Sequence, residues 1–542
     1  MSVFLSIATA CLLVLAWGRP LVLLGLRSLH ILQLEEYQTT RYWRWLFQHT
    51  GAAFDWPLLA TVGLVAAGAL SGVTPVWSIF WLGCVAVGAR QSWRMELAEA
   101  KKPLILTARA RRLFAGWVVC EIIVGSLVGW IAVNAVVLTG APSLAGAAAG
   151  LLAAALLGWP VVSLANLLLY PVEAGFRSYY LGSARAILRR HAPVVVGVAG
   201  SYGKTSTKTI LAQILATRQP TLATPRSFNT PMGLCRVIRE QLQPEHRFFI
   251  AELGAYQRGE VRQLARLVRP SIGILTTVGP EHLERFGSME NVRKAEFEVV
   301  ESLPADGLAI FNGDDATCRE LAPGSQCRWV LAGGPPSERR QLWAEDVALR
   351  PGGLEFTLCS AEGRQAKVTT ALLGRHNVAN VLCAGCAALA CGLSFDDLVA
   401  AIPRLTPVEH RLQLIANDNG VVVIDDTYNS NPRGAAAAIE TLATFQGGRR
   451  FLVTPGMVEL ADLQEAAHRE FGRQAASVCD GVILVGPRQT RAIAEGLVEA
   501  GFAKERLVVT RNLAEATDQL KTLLRPGDAV LFENDLPDNY AE

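Results

Sequence analysis

Long apolar runs dominate the first 170 residues of the chain. Most are long enough, at about 1.5 Å per residue in a helix, to cross a hydrocarbon core about 30 Å thick. A cleavable signal peptide is a weaker interpretation of the first run, because no basic segment precedes it and no clean small-residue cleavage site follows it. The pattern predicts an α-helical transmembrane region over residues 1–170 with about five spans, at 3–26, 56–72, 74–89, 115–139 and 143–169. The short pair in the middle is also compatible with a re-entrant hairpin.

The distribution of lysine and arginine gives these spans an orientation. The predicted loops at 27–50 and 90–114 hold three and seven such residues, whereas the turns near 73 and 141 hold none. Short cytoplasmic loops carry the excess of Lys and Arg. The predicted localisation is therefore that of a multi-pass protein of the cytoplasmic (inner) cell membrane, with everything after residue 170 on the cytoplasmic side.

Two amphipathic segments border the apolar runs. Residues 34–48 mix acidic, basic and aromatic side chains, which favours an interfacial aromatic belt over a site for a lipid headgroup or lipid carrier. Both interpretations remain open on the sequence alone. Residues 171–192 are predicted to form an amphipathic linker near the membrane surface.

From residue 193 onward, short runs of β-branched residues alternate with helical stretches. This alternation is typical of buried parallel strands joined by helices. One series extends to residue 405, and a second series begins shortly afterwards with the run GVVVIDD. The sequence predicts an α/β central domain over 193–405 and a smaller Rossmann-like domain over 406–542.

Composition narrows the functional classes only slightly. The chain has 542 residues, 51% of them hydrophobic, and a formal net charge of +3 without a long basic run, so no nucleic-acid partner is predicted. Its 11 cysteines are scattered. Cys383 and Cys386 have CxxC spacing, but no second pair or histidine ligand lies nearby, which favours buried helix packing over metal or redox chemistry.

A glycine-containing loop lies between the first predicted strand of the central domain and the helix that follows it. Two glycines allow backbone N–H groups to approach phosphates, Lys204 supplies a cation for the β- and γ-phosphates, and Thr205 offers a hydroxyl to Mg²⁺. The usual first glycine of such loops is replaced by Val198. The loop predicts nucleotide binding without identifying a reaction. Its candidate binding residues are Gly200, Ser201, Gly203, Lys204, Thr205 and Ser206.

Seven further motifs follow the loop: TPRSFNTPMG, AELGAYQRGE, GPEHLERFGSMENVRKAEFE, FNGDD, GRHNVAN, HRLQ and IDDTYNSNP. In this order they resemble the Mur ligase family, most closely its members that add D-alanyl-D-alanine to a cell-wall precursor. The likeness runs from about residue 193 to 500. It implies a P-loop Mur ligase central domain, a Rossmann-like C-terminal domain, the cofactors ATP and Mg²⁺, and a role in cell-wall peptidoglycan biosynthesis.

The resemblance also implies a reaction. ATP phosphorylates a substrate carboxylate, an amine attacks the acyl phosphate, and the tetrahedral intermediate collapses to an amide, ADP and phosphate. Bringing two anions together requires Mg²⁺, a lysine and close positioning. Asn229 is implied to lie near the γ-phosphate and the acyl group. The implied catalytic residues are Lys204, Asn229, Glu252, His282 and Glu296.

The implied metal site contains Thr205, Glu252, His282 and Glu296. Glu252 ends a predicted strand and would bind one Mg²⁺, and His282 would help to hold a second. Glu296 stands where the family usually has a carbamoylated lysine, so we hypothesise that its carboxylate supplies the same negative charge. Lys294 is the alternative, although a residue two positions away lies on a different face of the helix.

The implied nucleotide contacts come from four other motifs. Asn312 and Asn377 would approach adenine, Arg411 would approach the ribose or a phosphate, and Asp426 would lie in the nucleotide region between the domains. His376, beside Asn377, is as compatible with a packing role as with a contact.

Tyr428, Asn429 and Asn431 are implied to position the incoming amine. Closure of the C-terminal domain over ATP would then assemble the site and exclude water. Two departures from the family leave the identity of the amine open. Gly456 stands where the cell-wall member has an Asp, and the tail FENDLPDNY differs from that member's usual ending.

Mur ligases of cell-wall synthesis also have an N-terminal domain that binds a uridine nucleotide sugar. In this chain the apolar region stands at that position in the sequence. The preferred function is an ATP-dependent amide-bond ligase that joins an amino acid or peptide amine donor to a lipid-linked or polymeric carboxylate acceptor at the membrane. A poly-γ-glutamate synthase-like ligase is an alternative with the same chemistry. An ATP-driven transporter or scaffold is disfavoured, because Glu252 and His282 have no evident purpose in it and the spans hold few ionisable residues.

Overall fold

The structure, a computed structural model, describes residues 21–35, 37–48, 103–137, 144–226, 228–415 and 419–535. The chain divides into two units, Met1–Arg177 and Ser178–Glu542. The predicted apolar runs at 56–72 and 74–89, and most of the run at 3–26, lie outside the described residues.

The first unit is helical in its described part. Aromatic side chains connect its helices: the hydroxyl of Tyr42 donates to the carbonyl oxygen of Trp159 at 3.0 Å, and the indole of Trp117 donates to a neighbouring carbonyl at 3.2 Å. Arg112 and Glu173 form a bidentate ion pair, with distances of 2.7 and 3.0 Å. The helices are α1 (Leu21–Leu34), α2 (Thr39–Gln48), α3 (Ala108–Val137) and α4 (Leu144–His191), the last of which ends in the second unit.

Two helices of this unit coincide with predicted apolar runs, α3 with 115–139 and α4 with 143–169. Among the residues that the structure describes, one segment, Leu157–His191, has the length and apolar composition to cross a membrane. The predicted linker over 171–192 is a direct continuation of the same helix. The helix α4 continues through two prolines to His191, because the following segment is rich in the helix formers Ala, Leu and Arg. Large apolar side chains exposed on the two helices include Val119, Ile122, Ile123, Leu127, Trp130, Leu167 and Leu168.

A nine-stranded sheet forms the centre of the next domain, with spatial order β2-β3-β1-β4-β5-β6-β7-β8-β9. The strands up to β7 pair in parallel, and β8 pairs antiparallel with both of its neighbours. The sequence indicated the parallel series but not this antiparallel extension. The strands are β1 (Val194–Ala199), β2 (Thr221–Ala223), β3 (Phe248–Glu252), β4 (Ile272–Leu275), β5 (Leu308–Asn312), β6 (Arg328–Ala332), β7 (Arg340–Arg350), β8 (Gly353–Ser360) and β9 (Gln365–Thr370).

Helices pack on both faces of this sheet, and a hydrophobic core lies on each side. Cys383 and Cys386 are 1% and 2% exposed within one of these cores, as the packing interpretation predicted. The helices are α5 (Lys204–Ala216), α6 (Pro231–Glu240), α7 (Glu260–Val268), α8 (Leu283–Phe286), α9 (Met289–Glu301), α10 (Ala316–Leu321), α11 (His376–Ala390) and α12 (Phe395–Ala401).

The C-terminal domain contains a six-stranded sheet with spatial order β10-β11-β15-β12-β13-β14. β10 pairs antiparallel with β11, and the other neighbouring strands of this sheet pair in parallel. The run GVVVIDD, read from the sequence as the start of this series, contains β11. The strands are β10 (Gln413–Ile415), β11 (Val422–Asp426), β12 (Arg450–Thr454), β13 (Gly481–Val485), β14 (Leu507–Thr510) and β15 (Ala529–Glu533). The helices are α13 (Pro432–Leu442), α14 (Gln464–Val478), α15 (Arg491–Glu499) and α16 (Leu513–Leu523).

Candidate active site

The loop between β1 and α5 has the backbone shape expected of a phosphate-binding loop. Gly200 and Gly203 have φ angles of 127° and 83°, which side chains rarely tolerate. A Cβ atom on Gly200 would lie 2.3 Å from the hydroxyl of Thr276, and one on Gly203 would lie 2.5 Å from the side-chain oxygen of Asn380. Ser201 bonds through its hydroxyl to the backbone after β4 at 3.0 Å. Both glycines are therefore required by the close approach of neighbouring residues.

Lys204 begins α5, and its ammonium group folds over the loop. Its Nζ donates to the carbonyl oxygens of Gly200 and Ser201 at 2.5 and 2.8 Å, and to Glu281 Oε2 at 2.9 Å. Burial lowers the pKa of Lys204, but nearby carboxylates, Glu281 foremost, raise this pKa by more, so the side chain remains cationic. Ser206 lies in the same first turn of the helix. The loop thus holds a fixed positive charge where a phosphate would bind.

Glu252 lies at the carboxyl end of β3, beside the loop, and is buried. Its Oε2 accepts hydrogen bonds from the hydroxyl of Thr205 at 3.0 Å and from Lys208 Nζ at 2.8 Å. Its Oε1 accepts from the amide of Asn229 at 3.2 Å. Because β1 and β3 are adjacent parallel strands, their carboxyl ends open at the same edge of the sheet. Three residues predicted from separate motifs therefore meet at one point.

Glu296 projects from α9 towards the phosphate loop. Its Oε2 accepts a hydrogen bond from the backbone N–H of Gly200 at 2.7 Å. Burial raises the pKa of Glu296 to about 7, and the charge of Lys204 opposes this rise. Lys294 is half exposed and pairs with Glu290 at 2.9 Å. The geometry therefore favours Glu296 over Lys294 as the group that acts beside the loop.

His282 contacts the C-terminal domain. Its Nδ1 bonds to the carboxylate of Glu459, which Arg285 also binds at 3.2 Å, and the ring of Tyr256 lies 4.6 Å from the imidazole. His282 and Glu459 both have positive φ angles, 52° and 64°. Such backbone strain persists where the surrounding contacts fix the conformation, and it is common at functional sites. The histidine predicted to hold a metal is here part of a contact between two domains.

The residues implied to position the incoming amine belong to the C-terminal domain and lie beside Glu281, the partner of Lys204. The amide of Asn429 donates to Glu281 Oε1 at 3.4 Å. The guanidinium of Arg411 lies 4.3 Å from the ring centroid of Tyr428 and donates to the carbonyl oxygen of Asn429 at 3.4 Å. Burial raises the pKa of Asp426 to about 6, and the charge of Arg411 opposes this rise. Glu281 thus connects the lysine of the phosphate loop to the C-terminal domain.

The start of α13 belongs to the same domain contact. The side-chain oxygen of Asn431 accepts from Gly434 N at 2.9 Å and caps the helix, a local role that we did not predict. Arg433, in the first turn, donates to Asp315 Oδ2 at 2.8 Å. A further ion pair between the domains, Arg375 with Glu440, has a distance of 2.8 Å.

The two residues implied to contact adenine, Asn312 and Asn377, are buried and hydrogen-bonded within the protein. Asn312 donates to the hydroxyl of Thr277 at 3.2 Å. Asn377 accepts from the amide of Asn380 at 2.8 Å, and the side-chain oxygen of Asn380 accepts from the hydroxyl of Thr207 on α5 at 3.1 Å. Desolvation lowers the pKa of His376 to about 4, so this imidazole is neutral, although His376 is an exposed residue at the start of α11.

Two family models match the chain, the Mur ligase middle domain over residues 198–388 and the Mur ligase, glutamate ligase domain over residues 410–533. The chain belongs to the Mur ligase family. It is therefore an ATP-dependent C–N ligase of the Mur ligase type. The resemblance read from the motifs is confirmed.

Similar proteins include two UDP-N-acetylmuramoyl-tripeptide–D-alanyl-D-alanine ligases. That of Escherichia coli (strain K12) is 34% identical over 352 residues, which cover 64% of this chain and 76% of the relative. That of Mycobacterium tuberculosis (strain ATCC 25618 / H37Rv) is 33% identical over 363 residues, covering 62% of this chain and 70% of the relative. A crystal structure of MurF from Acinetobacter baumannii has a TM-score of 0.60 at 29% identity, covering 66% of this chain and 78% of that chain.

Mur ligases use ATP and Mg²⁺, and the donors around the phosphate loop of this Mur ligase suit both. Mg²⁺ in phosphoryl-transfer sites is held by one or two carboxylates, waters and substrate phosphates. Glu252 and the hydroxyl of Thr205, 3.0 Å apart, are oxygen donors of this kind beside the loop. In the described part of the chain, no group of three or more His, Cys, Asp and Glu residues is arranged to hold a metal ion.

Sequence reasoning missed four residues of this site in the Mur ligase. Lys208 follows Lys204 by one helical turn, a spacing that places both on one face of α5. Glu281 and Asn380 stand inside motifs that were noted for their neighbours. Glu459 lies in the segment TPGMVELAD, which was noted only for its glycine. Of these four residues, only Lys208 had a signal in the sequence that predicts its position, namely its spacing of one helical turn from Lys204.

Glu296→Gln is expected to lower the Mg²⁺-dependent turnover about tenfold to a hundredfold, because the substitution removes a buried negative charge beside Lys204. The measurement is phosphate release as a function of Mg²⁺ concentration. Lys294→Met is the matched control in the same helix, and we expect it to leave turnover unchanged because Lys294 pairs only with Glu290 at the surface. Undiminished turnover in Glu296→Gln would exclude a role for this carboxylate in the reaction.

Proposed function

We propose that this Mur ligase joins the amine of an amino acid or short peptide to a carboxylate of a cell-envelope precursor held at the membrane, through an acyl phosphate. The observation that carries the proposal is the position of Glu281. Its two oxygens bind Lys204 of the phosphate loop at 2.9 Å and Asn429 of the C-terminal domain at 3.4 Å. The group that handles the phosphates and the motif implied for the amine thus share one partner.

The first step is activation of the carboxylate. ATP with Mg²⁺ supplies the phosphoryl group; a carboxylate oxygen bonds to the γ-phosphorus while the bond to the β,γ-bridging oxygen breaks and ADP leaves. Lys204 and the backbone N–H groups of the loop would bind the phosphates and stabilise the charge of the transition state. Glu252 and Thr205 would hold the Mg²⁺ ion. Asn229, which is hydrogen-bonded to Glu252, would orient the acyl group.

The second step is attack of the neutral amine on the acyl carbon, followed by loss of phosphate and a proton. Water competes with the amine for the acyl phosphate, so the site has to be closed. The contact of His282 and Arg285 with Glu459 holds the C-terminal domain against the phosphate-loop domain. Tyr428 and Asn429 reach the site from that domain and would position the amine.

The membrane part of the proposal rests on the first unit. Its helices α3 and α4 expose large apolar side chains, and Leu157–His191 has the length to cross a bilayer. The basic segments 27–50 and 90–114 favour a cytoplasmic location for the catalytic domains. A membrane-anchored ligase gains most when its acceptor is also confined to the bilayer surface, as a lipid-linked or polymeric precursor is.

The test uses the full-length protein in detergent with ATP, Mg²⁺ and a lipid extract of the host. Phosphate release is measured across a panel of amino acids and dipeptides, with Lys204→Ala as the blank. We expect one amine to stimulate release, and mass spectrometry to find a lipid-extractable or polymeric product heavier by that residue.

Two outcomes would contradict the proposal. Phosphate release that requires Lys204 but is not stimulated by any amine would contradict the ligase reaction and favour a transporter or scaffold that uses ATP. Amine-stimulated release that occurs only with a water-soluble, nucleotide-linked acceptor would retain the ligase and remove the membrane-held acceptor.

A further inference from the structure

A cavity rich in arginine lies in the second unit, away from the phosphate loop. It has a volume of about 800 Å³, and its lining includes Arg185, Arg262, Arg266, Arg269 and Glu301. Four arginines against one glutamate leave a strong excess of positive charge. Guanidinium groups match phosphate oxygens in a bidentate geometry, so the lining suits a phosphorylated anion.

Most of this positive charge is not neutralised by the protein. Arg262 pairs with Glu301 at 2.6 Å. Among the described residues, Arg185, Arg266 and Arg269 form no ion pair, and all three are exposed. Three converging cations without counter-ions repel one another, and a bound anion would relieve that repulsion.

The cavity is held in place by buried neighbours. Ala184 and Leu188, on either side of Arg185 in α4, are buried in the core of the phosphate-loop domain. Arg262 and Arg266 project from one face of α7 into the cavity. Leu264 and Leu267 on the same helix are buried and hold it against the core. The two helices therefore present their arginines from fixed backbone positions, which favours a formed site over a diffuse basic surface.

The cavity and the catalytic site lie at opposite ends of the strands. Pro270 and Ser271, which line the cavity, precede β4, whereas Thr276 and His282 follow it. Nucleotide bound at the phosphate loop cannot be the ligand of this cavity. The catalytic edge stays accessible when the cavity is occupied.

We propose that this cavity binds the phosphate of an anionic membrane lipid. Arg185 lies on α4 after its apolar run at 143–169, and Arg189 and Arg190 extend the basic surface to the end of this helix. Basic residues that directly follow a membrane segment bind anionic headgroups at the cytoplasmic surface. The proposal rests on the membrane attachment in the proposed function but not on the ligase chemistry.

The test measures lipid binding to the full-length protein in a neutral detergent, by native mass spectrometry. The probes are short-chain phosphatidylglycerol, phosphatidylcholine of equal chain length, and inorganic phosphate. We expect the protein to retain phosphatidylglycerol in preference to phosphatidylcholine, and Arg266→Gln/Arg269→Gln to weaken this binding about tenfold or more. Arg266→Lys/Arg269→Lys keeps the charge but not the bidentate guanidinium groups, so we expect it to restore the binding in part.

Arg328→Gln/Arg404→Gln is the matched control, because it removes the same charge from exposed positions outside the cavity. We expect it to bind phosphatidylglycerol like the unchanged protein. Equal binding of both lipids, or equal losses in the cavity and control variants, would overturn the proposal. Binding of inorganic phosphate that needs Arg266 and Arg269, without retention of phosphatidylglycerol, would identify a free-phosphate site and also overturn it.

Phosphate release with amines is measured on the same preparations, so that the two proposals fail separately. Loss of lipid binding in the cavity variant of a preparation that shows no amine-stimulated release supports the lipid site and contradicts the ligase proposal. Amine-stimulated release together with unaltered lipid binding in the cavity variant overturns the lipid site alone.

Discussion

Lys204→Ala is expected to lower turnover about a thousandfold or more, because the lysine is the cation at the phosphate loop. The Nζ atom of Lys204 already donates hydrogen bonds to the carbonyl oxygens of the loop and to Glu281. The ammonium group therefore needs little rearrangement to reach a phosphate bound at the loop. Removal leaves the loop glycines and Glu252 in place, and the expected loss is therefore in transition-state stabilisation. The measurement is the steady-state rate of amine-stimulated phosphate release at saturating ATP.

The control for this prediction is Lys294→Ala, which removes the same charge from an exposed position on α9. We expect its turnover to match that of the unchanged protein. Thermal unfolding of Lys204→Ala is measured in parallel, so that a loss of fold is not read as a loss of chemistry. Turnover within about tenfold of the unchanged protein, in folded Lys204→Ala, would mean that another cation serves the phosphates.

The sequence predicted the parts of the site whose chemistry depends on local backbone shape. Gly200 and Gly203 were identified because a phosphate loop needs backbone that only glycine adopts readily, and the structure gives both positive φ angles. Glu252 was implied by the resemblance to the Mur ligase family, and its position at the carboxyl end of a predicted parallel strand supported this assignment. In each case a residue or its immediate neighbours carry the information.

Contacts between distant parts of the chain were not predictable in the same way. His282 and Glu459 are separated by 177 positions, and Lys204 and Glu281 by 77. Hydrophobic periodicity fixes which face of a helix or strand is buried, but it does not specify which polar residue lies opposite another. The assignment of His282 to a metal alone, without its carboxylate partner in the C-terminal domain, has this cause.

Two differences between prediction and structure are local. Asn431 was read as a substrate residue from its motif, while the structure shows that its side chain caps α13, a role for which Asn before Pro is well suited. The strands β7 to β9 were not predicted, and their burial patterns differ: β7 has one buried position, β8 is mostly buried, and β9 is partly exposed. A shared motif predicts the function of the site, but it does not show which of its residues also cap a helix. The helix cap and the edge strands were seen only in the structure.

Glu252→Gln is expected to produce two losses of different origin. Turnover should fall about a hundredfold or more, because Mg²⁺ and the phosphates lose a carboxylate beside Thr205. The protein should also lose about 3–5 kcal/mol of stability, because Lys208 is left as an unpaired cation in a buried position. The measurements are phosphate release and the apparent Tm of the full-length protein in detergent.

The double variant Glu252→Gln/Lys208→Met separates the two losses. Replacement of both charges of a buried pair by neutral groups costs little, so we expect Tm to return close to that of the unchanged protein. Turnover should remain as low as in the single variant, because the carboxylate that we propose to hold Mg²⁺ is still absent. Arg236→Met/Glu240→Gln, an exposed pair with a distance of 2.9 Å, is the control and should change Tm only slightly. Recovery of turnover in the Glu252 double variant would show that Glu252 serves only to neutralise Lys208, and the metal site would then have to be sought elsewhere around the loop.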